Sequence, residues 1–442
     1  MTVLLAFVAV ALVLFYIYRL ARSVDLGLTS LLAVELYNMT FGVNSGLVGG
    51  LHISPVDIVS ICLLAAGVIR TAQRIRNLNS ARLLALGYLA ILAVSILRGF
   101  FANGVITTSN ESRGFVAPLA AMLYFLTAPT DEESTRRYIR VYLYFGGALC
   151  AVAALAAVGL PVGMAAEAHL DAASVNGRFL VASAAGAIGV CGILSLSVLQ
   201  YRERGLLNQL LPIMYLCVAI YLRHRTVWVM LLAGTVALIP IDRSLFRRLV
   251  PYALLTAFTI GVLLFFGGEA GQLVGTDKFS SSATDTQTWE WRVAGWKSLV
   301  LDEEQTALTV IIGKSMGDGF WRIDPGSHEA IVAAPHSEYV QEYLRVGVVG
   351  MLLLLFLWVW SLAKLWKFTS QDRTAVYPST SAWAIVVFMM LAYGVTYSID
   401  AHSYALLGLA AATASGLVDI EGESTRIRYD GYEVVVASSV ND

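Results

Sequence analysis

Charge is what this sequence has least of. Only 14% of its 442 residues are Asp, Glu, Lys or Arg, against 57% hydrophobic, and the mean hydropathy is +0.70. That balance excludes an ordinary soluble domain, in which about a quarter of residues are charged. The formal net charge of −1 removes any bulk electrostatic case for nucleic acid as a partner. Cysteine is scarce too. Cys62, Cys150, Cys191 and Cys217 all fall inside apolar runs, their spacing suits neither a disulfide framework nor a metal site, and they read as small buried hydrophobes. The six histidines include no H-E-x-x-H and no pair at i, i+4, so no metal or other cofactor is expected. The N-terminus lacks the basic leader and small-residue cleavage site of a signal peptide, which makes residues 2–18 a retained first span.

What fills the chain instead is apolar sequence in helix-length runs. A membrane-crossing helix needs about 20 mostly apolar residues. Such runs lie at 2–18, 26–44, 54–70, 82–98, 114–128, 138–160, 179–199, 206–222, 226–242, 248–266, 344–363, 381–397 and 401–418. The pattern predicts an all-α polytopic membrane protein of about 12–14 transmembrane helices. Residues 1–266 form a bundle of about ten spans, 267–343 one long polar loop with short helices, and 344–419 the C-terminal spans. Residues 420–442 form a polar tail expected to be unstructured.

Lys and Arg near span ends concentrate on the cytoplasmic side. One side collects Arg19, Arg22, Arg70, Arg74, Arg76, Arg82, Arg136, Arg137, Arg140, Arg202, Arg204, Arg243, Arg247, Arg248, Lys364, Lys367 and Arg373. The tail is then cytoplasmic and the loop 267–343 lies outside, in the periplasm if the membrane is a Gram-negative inner membrane. Against that rule, Arg98, Arg113, Arg178, Arg223 and Arg225 lie at outer span ends, with Arg292, Arg322 and Arg345 in or beside the loop. Anion binding would explain them, because the planar guanidinium donates bidentately to phosphate. Pairing with headgroups or with Glu111, Glu338 and Glu342 is the alternative.

Three stretches of the loop stand out. In Thr284–Leu301, Trp289, Val293, Trp296 and Val300 share one helical face, which suits a helix lying on the outer membrane surface. Arg292 flanks that face, either pointing into headgroup-level space or snorkelling from an interfacial anchor. The run Ile311–Phe320 contains Gly-Lys-Ser, but Leu308 stands where a phosphate-binding P-loop needs its first glycine. Its glycines suit a tight turn in which backbone approaches another surface. Finally, Pro335 fits a first helical position, which would put His336 in the opening turn of the next span. There the positive helix end favours a neutral imidazole able to act as a base, while Glu338 and Glu342 pull the other way, so the sequence sets no direction for the net shift.

Pro335-His336-Ser337-Glu338-Tyr339, followed by Gly347, Gly350 and a new span, resembles the signature of the O-antigen ligase and O-antigen polymerase superfamily. Arg223-His224-Arg225-Thr226-Val227-Trp228 resembles that family's arginine-then-tryptophan motif, and Trp291-Arg292 through Trp296 its loop arginine. The resemblance covers roughly 180–420; Ser337 departs from it, standing at the usual asparagine. It implies a GT-C-like helical fold and a metal-independent glycosyltransferase acting on undecaprenyl-pyrophosphate-linked glycans at the periplasmic face. His336 is then the candidate base, with Arg225 and Arg292 gripping the pyrophosphate. Arg223, Arg178, Arg113 and Arg345 are secondary candidates for substrate binding, with Trp296, Tyr339 and His402. A polysaccharide polymerase is the leading reading, with a chain-length regulator as a possible partner. The ligase, with lipid A–core as acceptor, is its nearest rival, and a flippase or transporter the rival from another class.

Overall fold

The computed structural model describes residues 2–42, 46–48, 50–73, 79–164, 179–199, 206–266, 287–301, 305–323, 329–370, 379–424, 426–429 and 432–435. The chain is mostly helical. Its first part holds α1 (Thr2–Arg22), α2 (Val24–Phe41), α3 (Pro55–Gln73), α4 (Ser80–Asn103), α5 (Val105–Phe125) and α6 (Glu132–Ala157). There follow α7 (Ala182–Leu199), α8 (Leu206–Tyr221), α9 (Arg225–Ile241) and α10 (Arg243–Phe266). The loop supplies α11 (Gln287–Val300) and α12 (Ala307–Ile312), and the chain continues through α13 (Glu338–Ser370), α14 (Ser379–Gly394) and α15 (Ala401–Ser424). Every segment expected to span falls on one of these helices. Among the described residues, α3, α4, α6 and α13 are long and apolar enough to cross a membrane, and α7, α8, α9 and α14 are shorter apolar helices. Three antiparallel hairpins, which helical periodicity does not announce, complete the fold: β1 (Gly46–Val48) with β2 (Leu51–Ile53), β3 (Trp321–Ile323) with β4 (Ala330–Val332), and β5 (Arg426–Tyr429) with β6 (Tyr432–Val435). The last pair, and the continuation of α15 to Ser424, lie where an unstructured tail was expected.

Helix α5 is at the centre of the packing. Residues Ala117–Phe125 are all buried, and α5 packs against α3 and α15. Small residues permit the approach. A Cβ at Gly67 of α3 would stand 3.1 Å from Tyr124 backbone, and one at Gly408 of α15 would stand 2.7 Å from the Met122 carbonyl. Lipid tails are as apolar as leucine, so tight packing of this kind, rather than hydrophobic burial, holds spans together. Arg70 closes one end of α5, its Nε donating to Thr127 Oγ1 at 2.8 Å and its terminal nitrogen to the Thr127 carbonyl at 2.8 Å.

At the opposite end, α13 is broken at Gly347, whose φ is 66° and ψ −173°. A side chain there would collide with the Ile311 carbonyl, since an added Cβ would lie 2.3 Å from it. The 313–319 segment packs into the break. Lys314 N–H donates to the Leu344 carbonyl at 2.7 Å, restoring a partner that the break would otherwise remove. Arg98 donates to the Gly313 carbonyl at 2.9 Å and Asn103 to the Met316 carbonyl at 2.8 Å. Glu111 of α5 accepts from Gly317 N–H at 2.8 Å and Gly319 N–H at 3.1 Å. Irregular backbone survives within a helical membrane bundle only when buried in protein and bonded in this way. The glycines therefore serve backbone approach, as their spacing implies.

Candidate functional site

Between α9, α11 and the turn after α14 lies a cavity of about 430 Å³, lined among others by Arg225, Thr226, Trp289, Arg292, Thr396 and Tyr397. Among the described residues lining it none is Asp or Glu. The cations come from different elements. Arg225 is the first residue of α9, whose N-cap, His224, makes no side-chain capping bond and also lines the cavity. A helix N-terminus adds a positive field and backbone donors. Arg292 is held from below, donating to the Thr396 carbonyl at 3.1 Å and lying 4.7 Å over the Tyr397 ring. Its Nε has no hydrogen-bond partner. Thr396 in turn donates to Thr226 Oγ1 at 2.8 Å, which locks the turn to α9.

His336 stands beside this cavity. Its ring meets Tyr397 edge-on at 6.1 Å and lies 6.4 Å from Trp291. Burial lowers its pKa from the usual histidine range, and the Arg292 and Arg322 guanidiniums lower it further, so the imidazole is neutral at pH 7. The helix boundary differs from the one expected. Helix α13 begins at Glu338, so neither Pro335 nor His336 is inside it. Ser337 fills the capping position, its hydroxyl accepting from Val340 N–H at 3.5 Å and donating to the Gly394 carbonyl at 3.4 Å. His336 precedes the cap with φ of 51°. Among the described residues, only Arg223 (φ 59°) shares that left-handed backbone without being glycine. Such conformations cost about 1–3 kcal/mol, and they cluster at functional sites. The network around His336 supports the strain. Glu338 N–H donates to the Tyr397 carbonyl at 3.2 Å, the Glu338 carboxylate accepts Ile399 N–H at 2.8 Å and the Tyr404 hydroxyl, and Ser398 donates to Gln341 at 2.7 Å.

Helix α11 buries Gly295 and Leu299 and leaves Trp289 48% exposed. Arg322 on β3 stacks 3.7 Å over Trp291 and passes so close to Gly295 that a Cβ there would lie 2.1 Å from its terminal nitrogen. Trp296 packs edge-on against Trp289 at 5.5 Å and donates to the Pro335 carbonyl at 2.5 Å, so it positions the segment that carries His336.

The remaining candidates are distributed elsewhere. Arg223 is 3% exposed, packed at the α8–α9 turn near Tyr221. Tyr339 is committed to the Leu391 carbonyl at 2.6 Å. Arg345 is fully buried and pairs with Glu111, so it pins the 313–319 segment rather than lining the cavity. Arg113 faces a separate groove and pairs with Asp57 at 2.8 Å. His402 is buried in the bundle beside Phe145, 4.0 Å from Glu35, and is not among the residues lining the cavity. Arg178 lies outside the described residues. Among those described, no group of three His, Cys, Asp or Glu is arranged to hold a metal ion.

No known protein family and no curated protein matches this chain. The site is therefore read from its own chemistry. Thr396 and Tyr397, which link the two halves of the site, are the functional residues that sequence reasoning missed. Their one signal was the polar stretch Thr396–Asp400 between apolar runs.

Proposed function

We propose that the chain is a membrane glycosyltransferase of the O-antigen ligase and polymerase type, GT-C-like in fold, acting at the periplasmic face of a bacterial inner membrane. One observation supports this above others: Arg225, at the start of α9, and Arg292 line one cavity beside a histidine kept neutral. Displacing a sugar from a lipid-linked pyrophosphate leaves a polyanion, which preorganised cations stabilise. An acceptor hydroxyl needs a proton acceptor within reach. In the proposed step the acceptor oxygen bonds to the anomeric carbon as the bond from that carbon to the pyrophosphate oxygen breaks. Its electron pair leaves with undecaprenyl pyrophosphate, Arg225 and Arg292 take up the charge, and His336 accepts the hydroxyl proton. The exposed apolar residues Val229 and Val395 on the cavity rim suit a donor that stays in the bilayer.

Within this class we assign a polysaccharide polymerase that transfers glycan en bloc to an acceptor glycan. In cells, His336→Ala and Arg292→Ala should each abolish surface glycan assembly at unchanged protein level; retained assembly in both removes the assignment. In a deletion strain, single repeat units on the final acceptor fit a polymerase. Free polymer accumulating on the carrier means a ligase using lipid A–core.

A further inference from the structure

A second groove lies between α3 and α5, at the end of the bundle where both helices begin. Its volume is about 300 Å³, and the β1–β2 hairpin closes its upper edge through Leu51, His52 and Ile53. Asn110 fixes that hairpin, accepting His52 N–H at 2.9 Å and donating to the Gly50 carbonyl at 3.1 Å. Three levels can be read down the groove. At the mouth, Arg113 and Asp57 pair twice, Nε to Oδ1 at 2.9 Å and the terminal nitrogen to Oδ2 at 2.8 Å. Both stay partly open to a ligand, with side-chain exposures of 30% and 15%. One helical turn below Asp57, Ser60 is 1% exposed, lines the groove, and its hydroxyl has no hydrogen-bond partner. Serine inside a helix ordinarily bonds back to a carbonyl one turn earlier, and a buried hydroxyl left unbonded costs free energy. Deeper still, Ile61, Val116 and Ala117 form apolar walls.

We propose that this groove binds one zwitterionic phospholipid. The mouth presents both signs of charge a few ångströms apart and is neutral overall, complementary to a headgroup whose phosphate faces Arg113 and whose ammonium faces Asp57. The Ser60 hydroxyl donates to the ester carbonyl that follows the phosphate in such a lipid. The acyl chain runs along Ile61, Val116 and Ala117. Asp57 already accepts from Arg113 and from Ser54 N–H and Oγ; an anionic lipid brings it no further cation, and a water-soluble ligand does not suit the apolar walls. The lipid would fasten the hairpin to α3 and α5 on a face separate from the cationic cavity. This inference rests on the helices being membrane-embedded and is independent of the proposed transferase.

The test is native mass spectrometry of the full chain purified in mild detergent and equilibrated with equal amounts of phosphatidylethanolamine and phosphatidylglycerol. One bound phosphatidylethanolamine is expected, favoured about threefold, the scale of a partly exposed charge pair. Asp57→Asn should shift the preference to phosphatidylglycerol. Ser60→Val should lower retention of both lipids while leaving their ratio unchanged. Equal retention of the two lipids by the unsubstituted chain, or a preference for phosphatidylglycerol, overturns the proposal even if neither variant folds. A preference unmoved by Asp57→Asn in a folded variant overturns it as well.

Discussion

Arginines on the two sides of this bundle have opposite fates. On the α3–α5 side, Arg113 meets Asp57, and Arg345 meets Glu111. On the α9–α14 side, Arg225 and Arg292 line a common cavity. Sequence position does not separate the two groups, because all four are arginines in or beside the outer span ends and the polar loop. What separates them is where folding puts the guanidinium: against a carboxylate of a neighbouring helix, or at the wall of a cavity. An arginine paired across helices fastens them together; one at a cavity wall is placed to meet an anionic ligand, the role proposed above.

The largest effects should therefore come from the cavity side. His336→Ala should lower transfer by about 10²–10⁴-fold, the usual contribution of a positioned general base, without changing thermal unfolding of the purified protein. An unfolding shift that accounts for the lost activity would erase the distinction between the two sides. On the other side, Glu111→Gln removes the charge that pairs with buried Arg345 and leaves one side-chain oxygen to serve both that guanidinium and the Gly317 and Gly319 N–H groups. A destabilisation of about 3–5 kcal/mol is expected, read from thermal unfolding. Gly347→Ala tests the same region through the backbone, with an expected loss of about 1–3 kcal/mol from strain at positive φ alone.

A subtler comparison uses pH. Because burial and the charges of Arg292 and Arg322 hold the His336 pKa below the usual histidine range, the neutral base persists to lower pH. The acid limb of the rate profile should fall below about 6.5. Arg322→Gln removes one of those charges, raises the pKa and moves the limb upward, while the plateau stays in place. An unmoved limb would show that Arg322 does not act on His336.

Much of the helical frame was legible from hydropathy, because span-length apolar runs have one inexpensive solution in lipid. The glycine turn at 313–319 was legible as backbone approach, though its binding site in the α13 break was not. That break depends on Gly347 meeting Ile311, a contact between distant segments. The pairing of Arg113 with Asp57 spans 56 positions and that of Arg345 with Glu111 spans 234, so no local pattern exposes either. Tyr397 was hidden for a different reason. It ends an apolar run, and its role comes from Arg292 and His336 reaching it from elsewhere. His336 was singled out by its motif, but its left-handed backbone and the capping role of Ser337 became visible only in three dimensions.

Whether Arg225 and Arg292 hold a pyrophosphate while Arg113 does not is tested most directly by a binding measurement. Farnesyl pyrophosphate, a short polyprenyl pyrophosphate, can be titrated into the purified full chain and its Arg225→Ala, Arg292→Ala and Arg113→Ala variants. Each cavity substitution should weaken binding by about 10–100-fold, the value of one charge-assisted hydrogen bond, and Arg113→Ala should leave it unchanged. Equal affinity across all four proteins, or a loss confined to Arg113→Ala, would contradict the account.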